Sequence, residues 1–423
     1  KILHRGGTLG GPTQGITLGT GTSRVSIAGG VTVNIAGKLS GPVGNPLDIQ
    51  LDNSTSTGIL ANTANSFLGN LQLTGVGFVL LGAAGVLQDA GGTVNITNGA
   101  TLDLNGFNEY IGGLTGNGKA DTRVASSVVT LGVGGNNSNT TFFGTTANAG
   151  SGSSLQLVKV GTGTLTVSGT GIGHGGGTII SNGTIEISAA GAGRLGPLSS
   201  SPVTLRGGTL QGNFAADVTV GNTITVDASG GTLRNVGGDP GRWVMAANMV
   251  YGSGPLTLAF GSQNTRFMMA SAQDNFTGRW IVDSGGNVNR FVDLNYASGN
   301  GFGAASGDDA ITFQNDGGIL IRNGLALGSP SQGITLGAGR TKITAASIST
   351  GTVAGKISGP LGNNVQFYLD NASSVLILSN TANSWLGGMQ INSGSAYGTL
   401  RLGASGVLPD AGSPVEITST AQL

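Results

Sequence analysis

The feature that most constrains this sequence is that its beginning and its end are the same unit. Three segments recur at one constant offset along the chain: 14–19 (QGITLG) as 332–337, 37–42 (GKLSGP) as 355–360 (GKISGP), and 62–69 (NTANSFLG) as 380–387 (NTANSWLG). After a short insertion the offset is slightly larger, and 85–91 matches 406–412. Residues 1–102 thus return as 319–423. We expect the parent protein to continue with more copies, because repeat units bury their apolar faces against neighbouring repeats.

The local pattern is one of short strands and tight turns. Stretches such as 164–167 (TLTV), 184–187 (TIEI) and 223–226 (TITV) alternate apolar residues with polar ones, which is the period of a half-buried strand. Asn-Gly and Gly-Gly dipeptides at 98–99, 182–183, 207–208 and 230–231 separate them and permit positive φ. No stretch shows the 3.6-residue period of a helix, so the chain is predicted to be all-β.

The strands favour a right-handed parallel β-helix, or β-solenoid, of stacked coils with Gly/Asn-rich turns. A sandwich needs two large inner faces, whereas these strands are short and aromatic residues make up only 5% of the chain. At roughly twenty residues per coil and a strand spacing near ~4.8 Å, we expect about twenty coils.

The repeat divides the chain into three parts. Residues 1–102 are the first copy of a β-helix repeat unit, and 319–423 are the second copy. Residues 103–318 complete the long period, which therefore spans 1–318, and they include a less regular, aromatic-rich part at 235–300. A weaker Ser-Gly-Pro step at 40–42, 253–255 and 358–360 indicates smaller modules inside the long period.

Charge and cysteine content exclude several classes of function. The 19 basic and 19 acidic residues are scattered, so no basic stripe could follow a nucleic acid backbone. No polybasic run and no apolar run of about 18 residues supports membrane insertion of this segment. Cysteine is absent, which excludes disulfides, thiolate metal sites and cysteine nucleophiles, and is compatible with export through an oxidising compartment.

One part of the chain resembles a known family. Residues 157–169 (LVKVGTGTLTVSG), followed by 175–185 (GGGTIISNGTI), resemble the autotransporter-associated β-strand repeat, whose pattern has a lysine, spaced glycines, a Thr-Leu-Thr strand and a Gly-Gly-Thr turn. The likeness extends over 80–235, although 173–176 (GHGG) departs from the expected aromatic-Thr-Gly-Gly step. The resemblance implies a β-helical stalk of a giant secreted bacterial surface protein.

Parallel β-helices include polysaccharide lyases and hydrolases, whose catalytic sites contain clustered carboxylates. Such a cluster in this sequence would therefore indicate catalysis. Asp308 and Asp309 are the only adjacent acidic pair, and a solvated turn explains them better than an acid–base site. Asp48 and Asp52 would share a face if both lay in one strand, but Gln366 replaces Asp48 in the second copy. We therefore predict no enzymatic activity and no catalytic residues.

Metal and cofactor sites are not predicted either. The two histidines, His4 and His174, have no second ligand near them in sequence, and Arg322 replaces His4 in the second copy. The glycine-rich run 171–177 lacks the Gly-Lys-Ser/Thr ending of a phosphate loop, so turn formation explains it.

The aromatic-rich part at 235–300 holds the candidate contact residues. Arg242 with Trp243, and Arg279 with Trp280, would form a surface for a glycan or a partner subunit if exposed, since such residues dominate binding hot spots. The alternative is that these aromatic residues fill a wider coil cross-section.

The sequence predicts a structural component of an extracellular fibre, stalk or bacterial cell-surface layer. Its expected partners are further repeats of the same chain or other copies associating end-to-end or laterally. One alternative is an adhesin that binds glycans or neighbouring cell surfaces through 235–300. A less favoured one is a polysaccharide lyase or hydrolase near Asp308.

Overall fold

The fold is built entirely from parallel strands stacked as turns of a β-solenoid. The structure, a computed structural model, describes residues 1–124, 128–169, 171–188, 201–238, 241–261, 265–296, 301–346, 348–394, 397–409, 414–418 and 421–423. It divides into two compact units, one of Lys1–Thr204 with Gly208–Leu210 and one of Leu205–Gly207 with Gln211–Leu423. Together they contain about 16 turns. The described residues include no helix, and hence none that could span a membrane. The predicted all-β solenoid is confirmed.

The strands of the first unit are short and follow one another in the order β1 Ile2–His4, β2 Gly7–Leu9, β3 Gly15–Thr17, β4 Ser23–Ile27, β5 Thr32–Ile35, β6 Lys38–Gly41, β7 Leu47–Leu51, β8 Thr57–Leu60, β9 Ser66–Phe67, β10 Leu71–Gly75, β11 Gly77–Leu81, β12 Thr93–Ile96, β13 Ala100–Asp103, β14 Glu109–Ile111, β15 Gly113–Gly116, β16 Lys119–Asp121, β17 Val128–Val133, β18 Thr140–Phe142, β19 Thr145–Thr146, β20 Ser154–Lys159, β21 Thr164–Val167, β22 Thr178–Ile180 and β23 Thr184–Ser188. Two strands contain residues assigned to both units, β24 Val203–Leu205 and β25 Thr209–Asn213.

The second unit continues with strands of similar length, namely β26 Val218–Thr219, β27 Ile224–Val226, β28 Gly231–Asn235, β29 Arg242–Met245, β30 Val250–Gly252, β31 Leu256–Phe260, β32 Arg266–Met269, β33 Trp280–Asp283, β34 Phe291–Leu294, β35 Gly307–Gln314, β36 Gly318–Ile321, β37 Ala326–Leu327, β38 Gln332–Leu336, β39 Arg340–Ala345, β40 Thr350–Val353, β41 Lys356–Gly359, β42 Asn364–Leu369, β43 Val375–Leu378, β44 Ser384–Trp385, β45 Met389–Ser393, β46 Thr399–Leu402 and β47 Val415–Thr418.

Each strand pairs in parallel with the equivalent strand of the neighbouring coil. In the first unit Val25 of β4 pairs with Ile49 of β7, and Ile49 pairs with Leu73 of β10. All three side chains are buried, so an apolar column runs from coil to coil. Burying each such side chain stabilises the fold by about 1.5–3 kcal/mol, and this is available only where a neighbouring coil covers it.

The coils are longer than the sequence pattern predicted. Hydrogen-bonded neighbours on adjacent coils are commonly separated by 24 residues, as for Arg24 and Asp48, or by 26, as for Thr130 and Gln156. The structure therefore has about 16 coils instead of the expected twenty. The estimate was wrong because it counted strands and tight turns but not the longer corner segments between them.

The tight turns contain the residue types that the sequence predicted for them. Asn98 and Gly99 both adopt positive φ, at 59° and 88°. Only glycine, and to a lesser degree asparagine, occupies this region without large strain. The predicted Asn-Gly turn at 98–99 is thus confirmed.

The two sequence copies form the same elements. Strands β6, β8, β9 and β10 begin at positions whose counterparts in the second copy begin β41, β43, β44 and β45. Phe67 and Trp385 occupy the same position in β9 and β44, and both are buried.

The short insertion in the second copy falls outside the strands. One residue, Val76, separates β10 from β11, whereas residues 394–398 separate β45 from β46. Phe78 nevertheless pairs with Thr57, and its counterpart Thr399 pairs with Val375, the counterpart of Thr57. The register of the stack is therefore unchanged.

Candidate functional site

The two tryptophans predicted as surface contacts lie in the core. Trp243 and Trp280 are both 0% exposed. Successive side chains of a strand point to opposite faces, so the neighbouring Arg242 is directed outward while Trp243 is directed inward. The expectation of an exposed tryptophan surface is wrong, and the alternative, that these residues fill the coil interior, agrees with the structure.

Each tryptophan belongs to an aromatic cluster inside the second unit. The ring of Trp243 lies 5.6 Å from Phe214 and 5.7 Å from Phe267, measured between centroids. The ring of Trp280 lies 4.7 Å from Phe276 and 5.5 Å from Phe302, both edge-on. Such pairs contribute about 0.5–1.5 kcal/mol each beyond their buried area. Most of the aromatic residues that the structure describes in 235–300 therefore fill the core, whereas Tyr251 is 37% exposed.

The indole N–H groups of the two tryptophans differ in their partners. The Trp280 Nε1–H donates to the backbone carbonyl of Phe302 at 3.1 Å. The Trp243 Nε1–H is buried and finds no hydrogen-bond partner among the residues that the structure describes. Both rings are thus core residues, but only one of them has its polar group satisfied.

The two candidate arginines are held in ion pairs at the surface. Arg242 donates through Nε to Asp217 Oδ1 at 2.9 Å and through a second nitrogen to the other oxygen, and this hydrogen bonding lowers the pKa of Asp217. Arg279 lies 2.9 Å from Asp309. Exposed pairs of this kind contribute about 0–1 kcal/mol, so they orient the arginines more than they stabilise the fold.

The adjacent acids Asp308 and Asp309 do not form one site. Their side chains are 87% and 60% exposed, and each approaches a different cation, Lys356 at 3.4 Å and Arg279 at 2.9 Å. They lie at the start of β35 rather than in a cleft. The arrangement agrees with a solvated position and offers no paired acid and base.

Asp48 and Asp52 do not share a face. Asp48 lies within β7, is buried, and is bonded to Arg24 at 2.7 Å and to the Thr74 hydroxyl at 2.8 Å. Asp52 follows the last residue of β7 and is exposed. The assumption that one strand contains both residues was wrong, because the strand ends at Leu51.

A buried charge cluster was not singled out from the sequence. Asp103 and Asp121 pair on adjacent coils, and both are buried. Lys119 lies 2.7 Å from Asp121, while Arg123 lies 3.5 Å from Asp103 and 3.4 Å above the ring of Phe78. Burial raises the pKa of Asp103 despite the nearby Arg123. No sequence spacing rule connects the two acids; the coil register brings them together.

Buried amide and carboxyl side chains join successive coils. The Asn65 side chain accepts from the Leu39 N–H at 2.8 Å and donates to the Val86 carbonyl at 2.9 Å, so it links the coil before and the coil after its own. One coil further, the Glu109 carboxyl accepts from the N–H groups of Val86 and Leu87 at 3.1 and 3.2 Å. Burial raises the pKa of Glu109 to about 7 in spite of these bonds.

Gln273 makes the same contact in the second unit with a neutral side chain. Its Oε1 accepts from the N–H groups of Met249 and Val250 at 3.0 and 3.2 Å, and its Nε2 donates to the Ala246 carbonyl at 2.6 Å. An amide thus satisfies two adjacent backbone donors as Glu109 does, without burying a charge.

The contacts between coils are duplicated together with the sequence. Side chains at equivalent positions bond to equivalent backbone groups in both copies: Asn45 to Leu18 and Asn363 to Leu336, Ser56 to Ala28 and Ser374 to Ala346, Asn62 to Ala36 and Asn380 to Ala354, Asn65 to Leu39 and Val86, and Asn383 to Ile357 and Val407. All of these bonds are 2.8–3.2 Å long.

Two further titratable side chains, those of His174 and Lys159, are buried in the first unit. The two ring nitrogens of His174 lie 2.9 and 2.8 Å from the hydroxyls of Thr146 and Thr178, and burial lowers its pKa to about 4. Buried Lys159 donates to the Gly161 carbonyl at 3.0 Å, and desolvation lowers its pKa to about 8. Within the described ranges, no group of three or more His, Asp or Glu side chains could hold a metal ion.

Comparison with known proteins adds no relative. No family model matches the chain, and neither the curated proteins nor the solved structures contain a match. The class of protein is therefore defined by the fold and the duplication, which make this chain a β-solenoid repeat protein.

Proposed function

We propose that this chain is a segment of a structural component of an extracellular fibre, stalk or cell-surface layer, built from tandem β-solenoid repeats of which 1–318 is one complete period. One observation carries the proposal: side-chain hydrogen bonds to the backbone of a neighbouring coil recur in both copies. A sequence duplicated for length and stiffness has to keep the bonds that satisfy backbone groups, whereas contacts between two side chains are free to change.

The charged side-chain contacts do change between the copies. The ion pair of Arg24 with Asp48 becomes Lys342 and Gln366 in the second copy. There the Gln366 amide donates to Gln390 at 2.6 Å instead. A duplicated catalytic or binding site would require the same groups in both copies, so the difference supports a structural role.

The mechanism we propose is geometric. Ladder hydrogen bonds and apolar columns connect each coil to the next, so every added repeat extends the stack and covers the apolar face of its neighbour. Further repeats of the same chain, or other copies associating end-to-end or laterally, are the proposed partners. The resemblance at 157–185 and the absence of cysteine support a secreted, bacterial cell-surface location.

The alternatives have less support. An adhesin acting through 235–300 would lose its main contact residues, since both tryptophans are buried. A lyase or hydrolase near Asp308 would lack a partner acid, since Asp309 is paired separately with Arg279.

Electron microscopy of the native, undigested protein tests the proposal. We expect filaments with a meridional repeat near ~4.8 Å, the strand spacing along a solenoid. Recombinant chains with one, two and three complete periods should lengthen in proportion to the number of periods. Compact particles of constant length in this series would refute a structural role.

A further inference from the structure

Equivalent corners of the two copies expose aliphatic side chains. In the first copy the corner consists of Pro42, Val43 and Leu68, and we call such a set an apolar corner. Val43 is 76% exposed and Leu68 is 37% exposed. In the second copy the equivalent residues Leu361 and Leu386 are 76% and 42% exposed.

The first apolar corner is fixed by bonds between two adjacent coils. A turn places Val43 at its tip, with the Asn45 N–H bonded to the Pro42 carbonyl at 3.3 Å and Gly44 at a φ of 93°. The Leu68 N–H donates to the carbonyl of Gly41 at 2.9 Å. The two aliphatic side chains therefore stand on neighbouring coils at the same corner.

The second apolar corner has the same construction. The Asn363 N–H bonds to the Pro360 carbonyl at 3.2 Å, and Gly362 has a φ of 94°. The Leu386 N–H donates to the Gly359 carbonyl at 2.9 Å. Both the turn and the coil-to-coil bond are thus retained after the duplication.

The apolar character of this corner persists where other positions of the repeat differ. Val43 is replaced by Leu361, which is larger and still aliphatic, while ion-paired positions such as Asp48 change their charge. No charged residue occurs in 41–45, 66–70, 359–363 or 384–388. Single exposed aliphatic residues are common on proteins, so the argument rests on the recurrence of the pair, not on the exposure of one residue.

The apolar area of one corner limits the kind of partner that can bind to it. Two partly exposed aliphatic side chains and a proline offer on the order of 200 Å², whereas a stable interface needs about 800 Å² from each partner. One corner alone cannot hold an unrelated protein. A partner that itself carries the corner in every repeat can engage many corners at once, and linked contacts of this kind multiply in effect.

We propose that the apolar corners are the lateral contact through which two copies of this repeat protein associate side by side. The proposal rests on the proposed function, because only a chain with several repeats presents enough corners. Since the corners are uncharged, like corners meet without repulsion.

A charge placed at each turn tip tests the proposal. In a protein of five complete periods, Val43→Asp, Leu361→Asp and the equivalent change in each further copy should weaken lateral association at least about tenfold in sedimentation equilibrium. Circular dichroism should be unchanged, because the substituted residues are exposed. The matched control replaces Val128 by Asp in every period, since that valine is 63% exposed but is not part of a corner.

Length and width of the particles separate the two proposals. If rods form but the wild type stays single at all concentrations, or if the corner variant pairs as tightly as the control, the lateral contact is refuted while the structural role stands. If no rods form, the proposed function itself fails. Single rods of unchanged length in the corner variant, beside paired rods in the control, would support the corner contact.

Discussion

The two buried tryptophans allow one hydrogen bond to be measured against a matched background. Trp280→Phe and Trp243→Phe each remove the same atoms from an aromatic cluster in the same unit. The packing loss should therefore be similar. The two residues differ in the indole N–H. In Trp280 it donates to a backbone carbonyl, whereas in Trp243 it has no hydrogen-bond partner among the described residues.

The expected difference follows from the two N–H groups. Trp280→Phe loses a hydrogen bond with a net contribution of about 0.5–1.5 kcal/mol. Trp243→Phe removes a buried unsatisfied donor, which relieves about 1–3 kcal/mol of desolvation cost. The Trp280→Phe protein should therefore be less stable than the Trp243→Phe protein by about 1.5–4.5 kcal/mol.

Urea unfolding followed by far-ultraviolet circular dichroism measures this difference, since the signal does not depend on the tryptophans. With an m-value of about 2–3 kcal/mol/M, the midpoints should differ by roughly 1 M. Equal midpoints, or a lower midpoint for Trp243→Phe, would refute the assignment of the two N–H groups.

Three further substitutions test the interior contacts and one corner. Glu109→Gln should raise stability at pH 8 but not at pH 4, as measured by urea midpoints. The folded state holds the Glu109 proton up to about pH 7, so wild-type stability falls as pH rises from about 4.5 to about 7; Gln273 shows that an amide fits. A midpoint difference independent of pH would contradict this. Ile348→Gly should stabilise by about 0.5–1.5 kcal/mol, because Ile348 has a φ of 58° where the first copy has Gly30; Gly30→Ile should do the opposite in thermal unfolding. Asn65→Leu should cost about 2–4 kcal/mol by leaving two buried backbone groups unpaired, and an unchanged urea midpoint would count against its role in joining coils.

The parts of the fold that the sequence predicted are those determined locally. Alternating Thr and apolar residues at 164–167 form β21, and Asn98 with Gly99 forms a turn, because strand period and positive φ depend on neighbouring residues. The duplication also predicted which positions are equivalent, as Phe67 and Trp385 show.

The parts that could not be predicted depend on the stacking of coils. The direction of Trp243 depends on the register of β29, and one residue more or less would have turned it outward. The pairing of Asp103 with Asp121 depends on a coil length that the sequence does not state. For the same reason the number of coils was overestimated.

The insertion between β45 and β46 shows where this architecture tolerates new sequence. The longer connection at 394–398 leaves the pairing of Thr399 with Val375 equal to that of Phe78 with Thr57. We therefore expect this connection to accept a short added peptide, such as a labelling tag, without a change in the pairing of the neighbouring strands. A repeat protein of this kind could change the length of a connection in one repeat and not in the next, while the pairing of its strands stays the same.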